Sequence, residues 1–497
     1  MKKFISLFLI LLMLITLIAA CGDGGETKGS HDTNTTAAKN EIIEEGSVRP
    51  PLNVPVKDYD GYEFRILSIN TAVTGNTASL GSYYNSDFIY IPERAGEPIN
   101  DAVYDRNLKI KEEFNVDIIN KEVADVYAEA RKIIISGEDA YDIVMPYIDP
   151  SFTLAQEKYI YNLYTVPHLD LSNPWWDQAL VKGLSLNNKL YTITGDISMQ
   201  DEELNWAICV NKTLMEQYEV PDLYQIVRAG KWTLDTMYNI GKSVTYDLNG
   251  DGILNWEDVY AYGNDASGNQ FFYFAAGENI AVLDKDGYPK LTVGGERAIS
   301  VMDKITNIFN DTNFMIWASK ITTSAGGWSE LRVMFRENRL MIFSLSMYAV
   351  KEFRGMVDDF GILPGPKYDE KQEDYHMIMS THACISVCIP ITNNNLERTG
   401  ILLEAISYYS QPIQEAYYDI TLTGKFTRDE ESREMLDLIF GNVVYDIGKA
   451  FGWGGFIAQM LTATQKNTGF AALVEANRTK AETEIEKSFE IFMEIDT

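Results

Sequence analysis

A segment of twelve residues near the middle of the chain carries oxygen-bearing side chains at the spacing of a calcium-binding loop. Counted from the first, these side chains fall at positions 1, 3, 5, 9 and 12, namely Asp247, Asn249, Asp251, Asn255 and Asp258. Gly252 stands at position 6, where an EF-hand loop turns sharply, and Ile253 at position 7 would contribute its backbone carbonyl. Because Ca²⁺ prefers hard oxygen ligands, this spacing predicts a calcium site.

The last position of the loop leaves the calcium affinity open. Asp258 stands at position 12, where an EF-hand loop has a bidentate glutamate, and in this respect the loop resembles those of dockerins. Extracellular modules bind calcium in the range of roughly 10⁻⁴–10⁻³ M, which suffices outside the cell. We predict a structural calcium ion, and the alternative is a metal-free surface turn rich in Asx residues and glycine.

The N-terminus carries a second chemical signal, a cysteine that can take a lipid. Two lysines, a largely apolar run over residues 4–17 and two small residues precede Cys21. This is the order of a cleaved secretory signal, and it resembles the lipobox of bacterial lipoproteins. An uncleaved anchor is the alternative, but the run is on the short side of the ~20 residues that span a membrane. We predict a signal peptide over 1–20 and a lipid anchor on Cys21 that holds the protein on the extracytoplasmic face of the membrane.

Length and charge limit the class of protein. A chain of 497 residues is too long for a single core, so we expect at least two domains. The balance of 72 acidic and 42 basic residues gives a net charge of −30, which repels nucleic acid and excludes it as a partner. The three remaining cysteines, Cys209, Cys384 and Cys388, form no disulfide framework, and we expect buried free thiols.

The mature chain opens with alternating strand and helix patterns. We predict strands over 64–69, 116–119 and 142–145 and helices over 101–114 and 125–135, the second with Gly137 as its C-cap. This order predicts a parallel sheet covered by helices, in which ligands bind beyond the carboxyl ends of the strands. Asn70, Tyr147 and Asp149 occupy such positions.

Further buried strands are predicted over 204–211, 340–345 and 383–389. A helix is predicted over 234–244 with Thr233 as its N-cap residue, and apolar residues at helical spacing predict a helix at the C-terminus.

Several short segments follow one another in an order typical of one protein family. In chain order they are Asn107 within Asp105-Arg106-Asn107, Asp142-Ile-Val-Met145, Asn187-Asn-Lys-Leu-Tyr191, Val210-Asn211-Lys212, Gly230-Lys-Trp-Thr233, Asn338-Arg-Leu-Met341 and Gly361-Ile-Leu-Pro-Gly-Pro366. With the lipobox, they make the chain resemble the extracellular solute-binding proteins, family 1, that serve carbohydrate ABC importers. Cys209 departs from the pattern, because an aromatic residue is often found there.

The resemblance implies an α/β, two-lobed fold of the type II periplasmic-binding-protein kind, with the lobes joined by a crossing-strand hinge. One lobe would contain residues 56–200 and 365–425, the other 201–364 and 426–497, after a flexible linker over 21–55. A carbohydrate, which we expect to be an oligosaccharide, would bind between the lobes, and the closed form would deliver it to the transmembrane subunits of an ABC permease. Such a protein is not an enzyme.

A sugar site combines aromatic rings that stack on the ligand with polar groups that hydrogen-bond its hydroxyls. Besides Asn70, Tyr147 and Asp149, the candidate ligand contacts are Glu203, Asn205, Trp206, Met347, Tyr348, Trp453 and the adjacent pair Trp175 and Trp176. Trp453 is included because relatives place a stacking aromatic at its position.

Two other functions remain open at this point. The same scaffold could bind a peptide or another non-sugar solute, since fold alone does not identify a ligand. A lipid-anchored carbohydrate-active enzyme is the weaker alternative. No catalytic motif supports it, but 72 acidic residues offer too many carboxylate pairs to exclude it.

Overall fold

The structure is a computed structural model that describes residues 49–70, 89–353, 355–418 and 430–494. The predicted signal peptide, Cys21, most of the predicted linker and residues 419–425 of the first predicted lobe lie outside these ranges. Among the helices of the described part, none combines the length and the apolar character needed to cross a membrane.

The strands are short and spread along the whole chain. They are β1 (Tyr62–Ile69), β2 (Val116–Val123), β3 (Ile143–Val144), β4 (Trp206–Asn211), β5 (Tyr260–Asn264), β6 (Ala281–Leu283), β7 (Pro289–Leu291), β8 (Met315–Trp317), β9 (Leu340–Ser346), β10 (Phe360–Leu363), β11 (Met377–Ile378) and β12 (Val443–Val444).

Helices connect and cover these strands. Those of the N-terminal part are α1 (Pro98–Phe114), α2 (Val126–Ser136), α3 (Ile148–Gln156), α4 (Gln178–Leu184) and α5 (Gln200–Glu203). The middle part contains α6 (Lys212–Gln217), α7 (Leu223–Arg228), α8 (Leu234–Gly241), α9 (Asn269–Ala275), α10 (Glu296–Phe309), α11 (Gly327–Arg336) and α12 (Met347–Val350). The C-terminal part contains α13 (Leu396–Tyr408), α14 (Gln411–Glu415), α15 (Glu430–Phe440), α16 (Ile447–Ala450), α17 (Phe456–Lys466) and α18 (Phe470–Glu494).

The predicted β-α-β-α-β run is confirmed. Its strands form a parallel sheet in the order β2-β1-β3. The Asp125 side chain caps α2 by accepting a hydrogen bond from the backbone N–H of Ala128, and Gly137 ends that helix in the left-handed conformation. Both ends of α2 therefore have capping residues, and the predicted C-cap at Gly137 is confirmed.

A larger sheet occupies the middle of the chain. Its order is β10-β4-β9-β5-β8, with β4 antiparallel to both neighbours and β5 parallel to both of its own. The predicted strands over 204–211 and 340–345 correspond to β4 and β9. The Thr233 hydroxyl accepts a hydrogen bond from the backbone N–H of Thr236, which confirms the predicted cap of α8.

The prediction of a regular strand over 383–389 is wrong. This segment is buried, but it makes only isolated bridges, from Ile385 to Tyr147, from Val387 to Ile193 and from Cys388 to Val144. Its neighbours on the two sides come from separate parts of the chain, so no continuous ladder forms. The cysteines within it are buried free thiols, as predicted, and so is Cys209.

The buried apolar residues form two cores. The first core is built mainly from residues 64–204, 379–406 and 445–453, and the second core mainly from residues 207–378, 413–439 and 456–481. Residues 365–378 thus pack with the second core. The lobe boundaries proposed from the sequence remain predictions.

Three extended segments cross side by side from one core to the other. Asn205 bridges Met379, β11 pairs with β12 in parallel, and the backbone N–H of Met379 donates to the carbonyl of Val444 at 3.1 Å. These crossing segments place the entrance to β4 and the residues after β11 next to each other.

The last residues of the predicted linker contact the body of the protein. The Arg49 guanidinium forms a 2.5 Å ion pair with Asp196 and donates to the side chain of Gln414 at 3.0 Å. Leu52 and Val54 pack against the first core. The described end of the linker is therefore attached.

Candidate functional site

A cavity lies between the two cores, beside the crossing segments. Residues of both cores line it, and the crossing residues Ile378 and Met379 lie at its base. We call Trp206 and Phe271 the aromatic wall and Ser380, His382 and Lys449 the polar wall. The remaining lining residues, Ser267, Gly268 and Gln270, come from the start of α9 and the turn before it.

The aromatic wall is positioned by the second core. Trp206 opens β4 directly after the crossing residue Asn205, and its ring lies 5.8 Å from that of Phe271 at an interplanar angle of 32°. Phe271 is buried, whereas Trp206 is only half-buried. A partly open indole held against a buried ring offers a rigid, flat apolar surface, which suits the C–H face of a sugar.

The polar wall is positioned by the first core. Asp446 caps α16, because its carboxylate accepts hydrogen bonds from the backbone N–H groups of Lys449 and Ile280 at 2.6 and 2.8 Å. Burial raises the pKa of Asp446 to about 6. The Lys449 ammonium donates to the hydroxyl of Thr381, which is buried beside the crossing segment. Burial also lowers the pKa of Lys449.

Asp149 and His382 lie near this lysine. Asp149 stands in the first turn of α3, and one of its carboxylate oxygens is buried with no hydrogen-bond partner in the described part of the chain. His382 is solvent-exposed within a recess, where the surrounding protein and then the Lys449 charge lower its pKa, while Asp149 opposes them. Its Nδ1 lies 3.3 Å from the Ser380 hydroxyl.

Three predicted contacts, Trp206, Tyr147 and Asp149, differ in their relation to the cavity. Trp206 lines it, and Asp149 influences the pKa of both His382 and Lys449. Tyr147 is the N-cap residue of α3, and burial raises the pKa of its phenol.

Other predicted contacts lie at or beyond the crossing segments. Asn205 is fully buried, and its carbonyl accepts from the backbone N–H of Met347. Glu203 is buried in α5, and Tyr348 is half-buried in α12. Asn70 follows β1, where its amide donates to Glu122 at 2.5 Å on the surface. None of these four lines the described cavity.

The structure corrects the prediction for the tryptophan pair. Trp175 and Trp176 are each 1% exposed within the first core. The Trp175 ring packs edge-on against Tyr408, and the Trp176 indole N–H donates to Glu404 at 3.1 Å. A Cβ on Gly195 (φ +153°) would lie 2.2 Å from the Trp175 carbonyl oxygen, so the pair is held in place by close backbone packing.

Trp453 and Met347 are also buried core residues. Trp453 stacks on Phe451 at 4.7 Å, and its indole N–H donates to Ser488 at 3.0 Å. Met347 is fully buried in the second core. Large apolar side chains are normally most stable in a core, and position along the sequence does not distinguish them from exposed platforms.

Sequence reasoning missed Lys449, His382 and Ser380. It considered polar residues that follow strands, whereas Ser380 and His382 precede the buried segment over 383–389. The sequence did contain one signal that points to Lys449: it stands two residues after the buried Ile447, in an otherwise apolar run. Buried lysines are rare, so a lysine in such a run is unusual.

The predicted calcium loop adopts a series of side-chain turns. Asp247 accepts from the backbone N–H groups of Gly250 and Gly252, both at 2.7 Å, and Asp258 accepts from those of Leu248 and Asn255. Asn249 and Asp251 each accept from the residue two positions on. In the described ranges, no group of three or more His, Cys, Asp or Glu side chains is gathered as for a metal. The calcium ion therefore stays a prediction.

Comparisons with known proteins identify the fold. No protein-family model matches the chain, and none of the curated proteins matches it either. Among solved structures, the maltose/maltodextrin-binding domain MalE from Bdellovibrio bacteriovorus, bound to maltotriose, is similar with a TM-score of 0.51 and 14% identity. That likeness covers 85% of this chain and 100% of the other.

Two further structures agree. The ABC substrate-binding protein Lmo0181 from Listeria monocytogenes, in complex with cycloalternan, has a TM-score of 0.53 and 11% identity over 87% of this chain and 100% of the other. UgpB from Mycobacterium tuberculosis, in complex with glycerophosphocholine, has a TM-score of 0.54 and 14% identity over 79% of this chain and 97% of the other. The α/β fold of two-lobed, type II solute-binding proteins, predicted from the sequence, is confirmed.

Proposed function

We propose that the protein is a solute-binding protein that holds an oligosaccharide in the central cavity and releases it to an ABC permease. The observation that carries this proposal is the lining of the cavity, which combines an aromatic wall from one core with a polar wall from the other. Stacking and hydrogen bonding together are what a sugar ring needs. The cavity has a volume of about 20 Å³, enough for about one water molecule, so the two walls must move apart to admit a sugar. A ligand that touches both walls favours the closed form over an open one.

The same proposal includes a lipid anchor on Cys21 and recognition of the closed form by the permease's transmembrane subunits. The lipobox supports the anchor, because the Cys21 thiol can take a diacylglycerol and cleavage before Cys21 exposes an amine for further processing. The ligand would leave unchanged, so no catalysis is proposed. Mass spectrometry of the N-terminal peptide from membranes, compared with a Cys21→Ala variant that should stay unlipidated, tests the anchor.

Thermal unfolding of the full chain in detergent, against a panel of neutral and acidic oligosaccharides, tests ligand binding. A ligand present at ~100 times its dissociation constant should add ~2.7 kcal/mol to the free energy of unfolding. We expect stabilisation by one class of glycan, which is recovered uncleaved. Cleavage of the glycan would instead identify an enzyme, and stabilisation by no glycan would exclude the sugar assignment.

A non-sugar solute is the second candidate. The fold also occurs in UgpB, whose structure contains glycerophosphocholine, so the scaffold is not restricted to oligosaccharides. Peptides and phosphodiesters in the same unfolding panel test this alternative directly.

We also propose that the loop from Asp247 to Asp258 binds a structural calcium ion. The order of its oxygen side chains and Gly252, in the left-handed conformation (φ +80°), support the proposal. Asp247, Asn249, Asp251 and Asn255 would hold the ion, with Asp258 and the Ile253 carbonyl, and the ion would stiffen the loop. Calorimetric titration with Ca²⁺, with Asp251→Asn as the weakened variant, measures this binding.

A further inference from the structure

The polar wall contains a charge for which the protein provides no counter-ion. Lys449 is 7% exposed, and its ammonium donates to the hydroxyl of Thr381. No carboxylate oxygen of the described residues lies within 4.0 Å of that nitrogen. An ammonium has three donors, so one hydrogen bond leaves two unused. A buried charge in this position is unfavourable unless something else pairs with it.

The two carboxylates nearest to Lys449 do not supply the pair. Asp446 already accepts hydrogen bonds from the backbone N–H groups of Lys449 and Ile280. The carboxylate of Asp149 raises the pKa of Lys449 through its charge but lies beyond ion-pair distance. One of its oxygens is buried with no hydrogen-bond partner in the described part of the chain. The cavity, which Lys449 lines, therefore offers a cation whose charge the protein leaves unpaired.

Resting on the function proposed above, we propose that the ligand is an anionic oligosaccharide. Its carboxylate or sulfate group pairs with Lys449, and one sugar face packs on Trp206, which lines the same cavity. His382 adds a donor beside Lys449, since only its Nδ1 has a hydrogen-bonding neighbour in the described chain. The net charge of −30 opposes the approach of such a ligand, but that repulsion is screened by salt, whereas a buried pair is screened much less.

The test uses the full chain in detergent and matched glycans that differ only in charge. Titration calorimetry would compare neutral galacto-oligosaccharides with oligogalacturonates and with sulfated galacto-oligosaccharides of the same length. The variants are Lys449→Met, which removes the charge, Lys449→Arg, which keeps it, and Lys242→Met as a control at an exposed lysine. We expect Lys449→Met to weaken binding of the acidic glycan by about 30-fold or more, because a buried charge pair is lost.

The outcomes separate this inference from the proposed function. Tighter binding of an acidic glycan, lost in Lys449→Met and kept in Lys242→Met, supports the inference, and the uronate and sulfate arms identify the anionic group. Equal binding of neutral and acidic glycans, unchanged by Lys449→Met, overturns the inference and leaves the sugar-binding function intact. Binding of no glycan overturns both. If Lys449→Met does not fold, the comparison of ligands on the unaltered protein and on Lys449→Arg decides.

Discussion

The two cores that meet at the cavity are stabilised in different ways. In the first core, Asp142 is fully buried and accepts hydrogen bonds from Tyr62 and from the backbone and side chain of Arg65. In the second core, the ring of Tyr262 contacts three phenylalanine rings at 5.5 to 6.1 Å, those of Phe272, Phe309 and Phe314. A buried ion-pair network is thus prominent in the first core, beside ring contacts such as that of Trp453 with Phe451, and a cluster of four aromatic rings is prominent in the second.

The cavity takes its two walls from these two cores. Lys449, Ser380 and His382 reach it from the side of the first core, and the aromatic surface, with Ser267 and Gln270, comes from the second. A ligand that requires both kinds of contact must therefore touch both cores at once.

The largest effect is expected from Asp142→Asn, which removes a negative charge from the buried ion-pair network of the first core. Removing one partner of a buried ion pair costs about 3–5 kcal/mol, and Asp142 also faces Arg398 at 3.3 Å. Chemical denaturation should show this loss of stability. Asp105→Asn is the matched control, because its pair with Arg94 is exposed and should contribute less than about 1 kcal/mol. Equal losses in both variants would contradict a special role for the buried network.

The next largest effect, on ligand affinity, is expected when the aromatic wall is removed. Trp206→Ala should weaken glycan binding by about 10-fold or more, because a stacking surface at the centre of the site is removed. Trp328→Ala is the control, since Trp328 is also half-buried against the second core but does not line the cavity. Calorimetric affinities of both variants separate a ligand contact from a general loss of packing. Similar weakening by both would show that Trp206 acts only through the core.

A smaller, pH-dependent effect distinguishes the two cores further. Burial raises the pKa of Glu404, in the first core, to about 7, and its hydrogen bonds from Trp176 and Asn173 only partly oppose this. The native protein then keeps a proton that the unfolded chain loses above its ordinary pKa of 4.5. This contribution to stability is complete below pH 4.5 and is lost as the pH rises to about 7.

Glu404→Gln should therefore flatten the fall in unfolding free energy across this interval, by at most about 1.4 kcal/mol per pH unit. Denaturation at pH 5, 6, 7 and 8 measures the slope. Glu475→Gln, at an exposed helical position, should leave the slope unchanged. A slope that Glu404→Gln does not alter would assign the pH dependence to other buried groups.

The smallest effect is expected at the calcium loop. Calcium at about ten times its dissociation constant should stabilise the protein by about 1.4 kcal/mol. Glycan affinity should stay the same with calcium or with chelator, because no residue of the loop lines the cavity. Asp251→Asn should remove the stabilisation alone. A calcium-dependent change in glycan affinity would contradict this separation.

Local signals in the sequence predicted the strands and helices at the start of the described chain, two strands of the larger sheet, α8 and the C-terminal helix. Caps such as Asp125, Thr233 and Gly137 act within a few residues, so their effect can be read from neighbours in the chain. The segment over 383–389 was assigned as a strand because it is apolar. A regular ladder also needs a continuous partner, and the structure provides only separated ones.

The candidate site was predicted less well than the fold. Of the predicted contacts, Trp206 lines the cavity, whereas Trp175, Trp176 and Trp453 are buried in the core, and the lining residues Lys449 and His382 were missed. The identity of an aromatic residue in the sequence is the same whether it packs in a core or stacks on a ligand. Only its long-range neighbours distinguish the two, such as Tyr408 for Trp175 and Phe451 for Trp453.

The sequence by itself determined the α/β class, the parallel start of the fold, the capped helices and the buried free thiols, because each follows from local propensity, periodicity or composition. Only the tertiary structure decided which aromatic residues line the cavity and that a buried lysine lines it as well. Those facts depend on contacts between residues as distant in the chain as Thr381 and Lys449. Such contacts arise from the packing of whole elements, which no short pattern encodes.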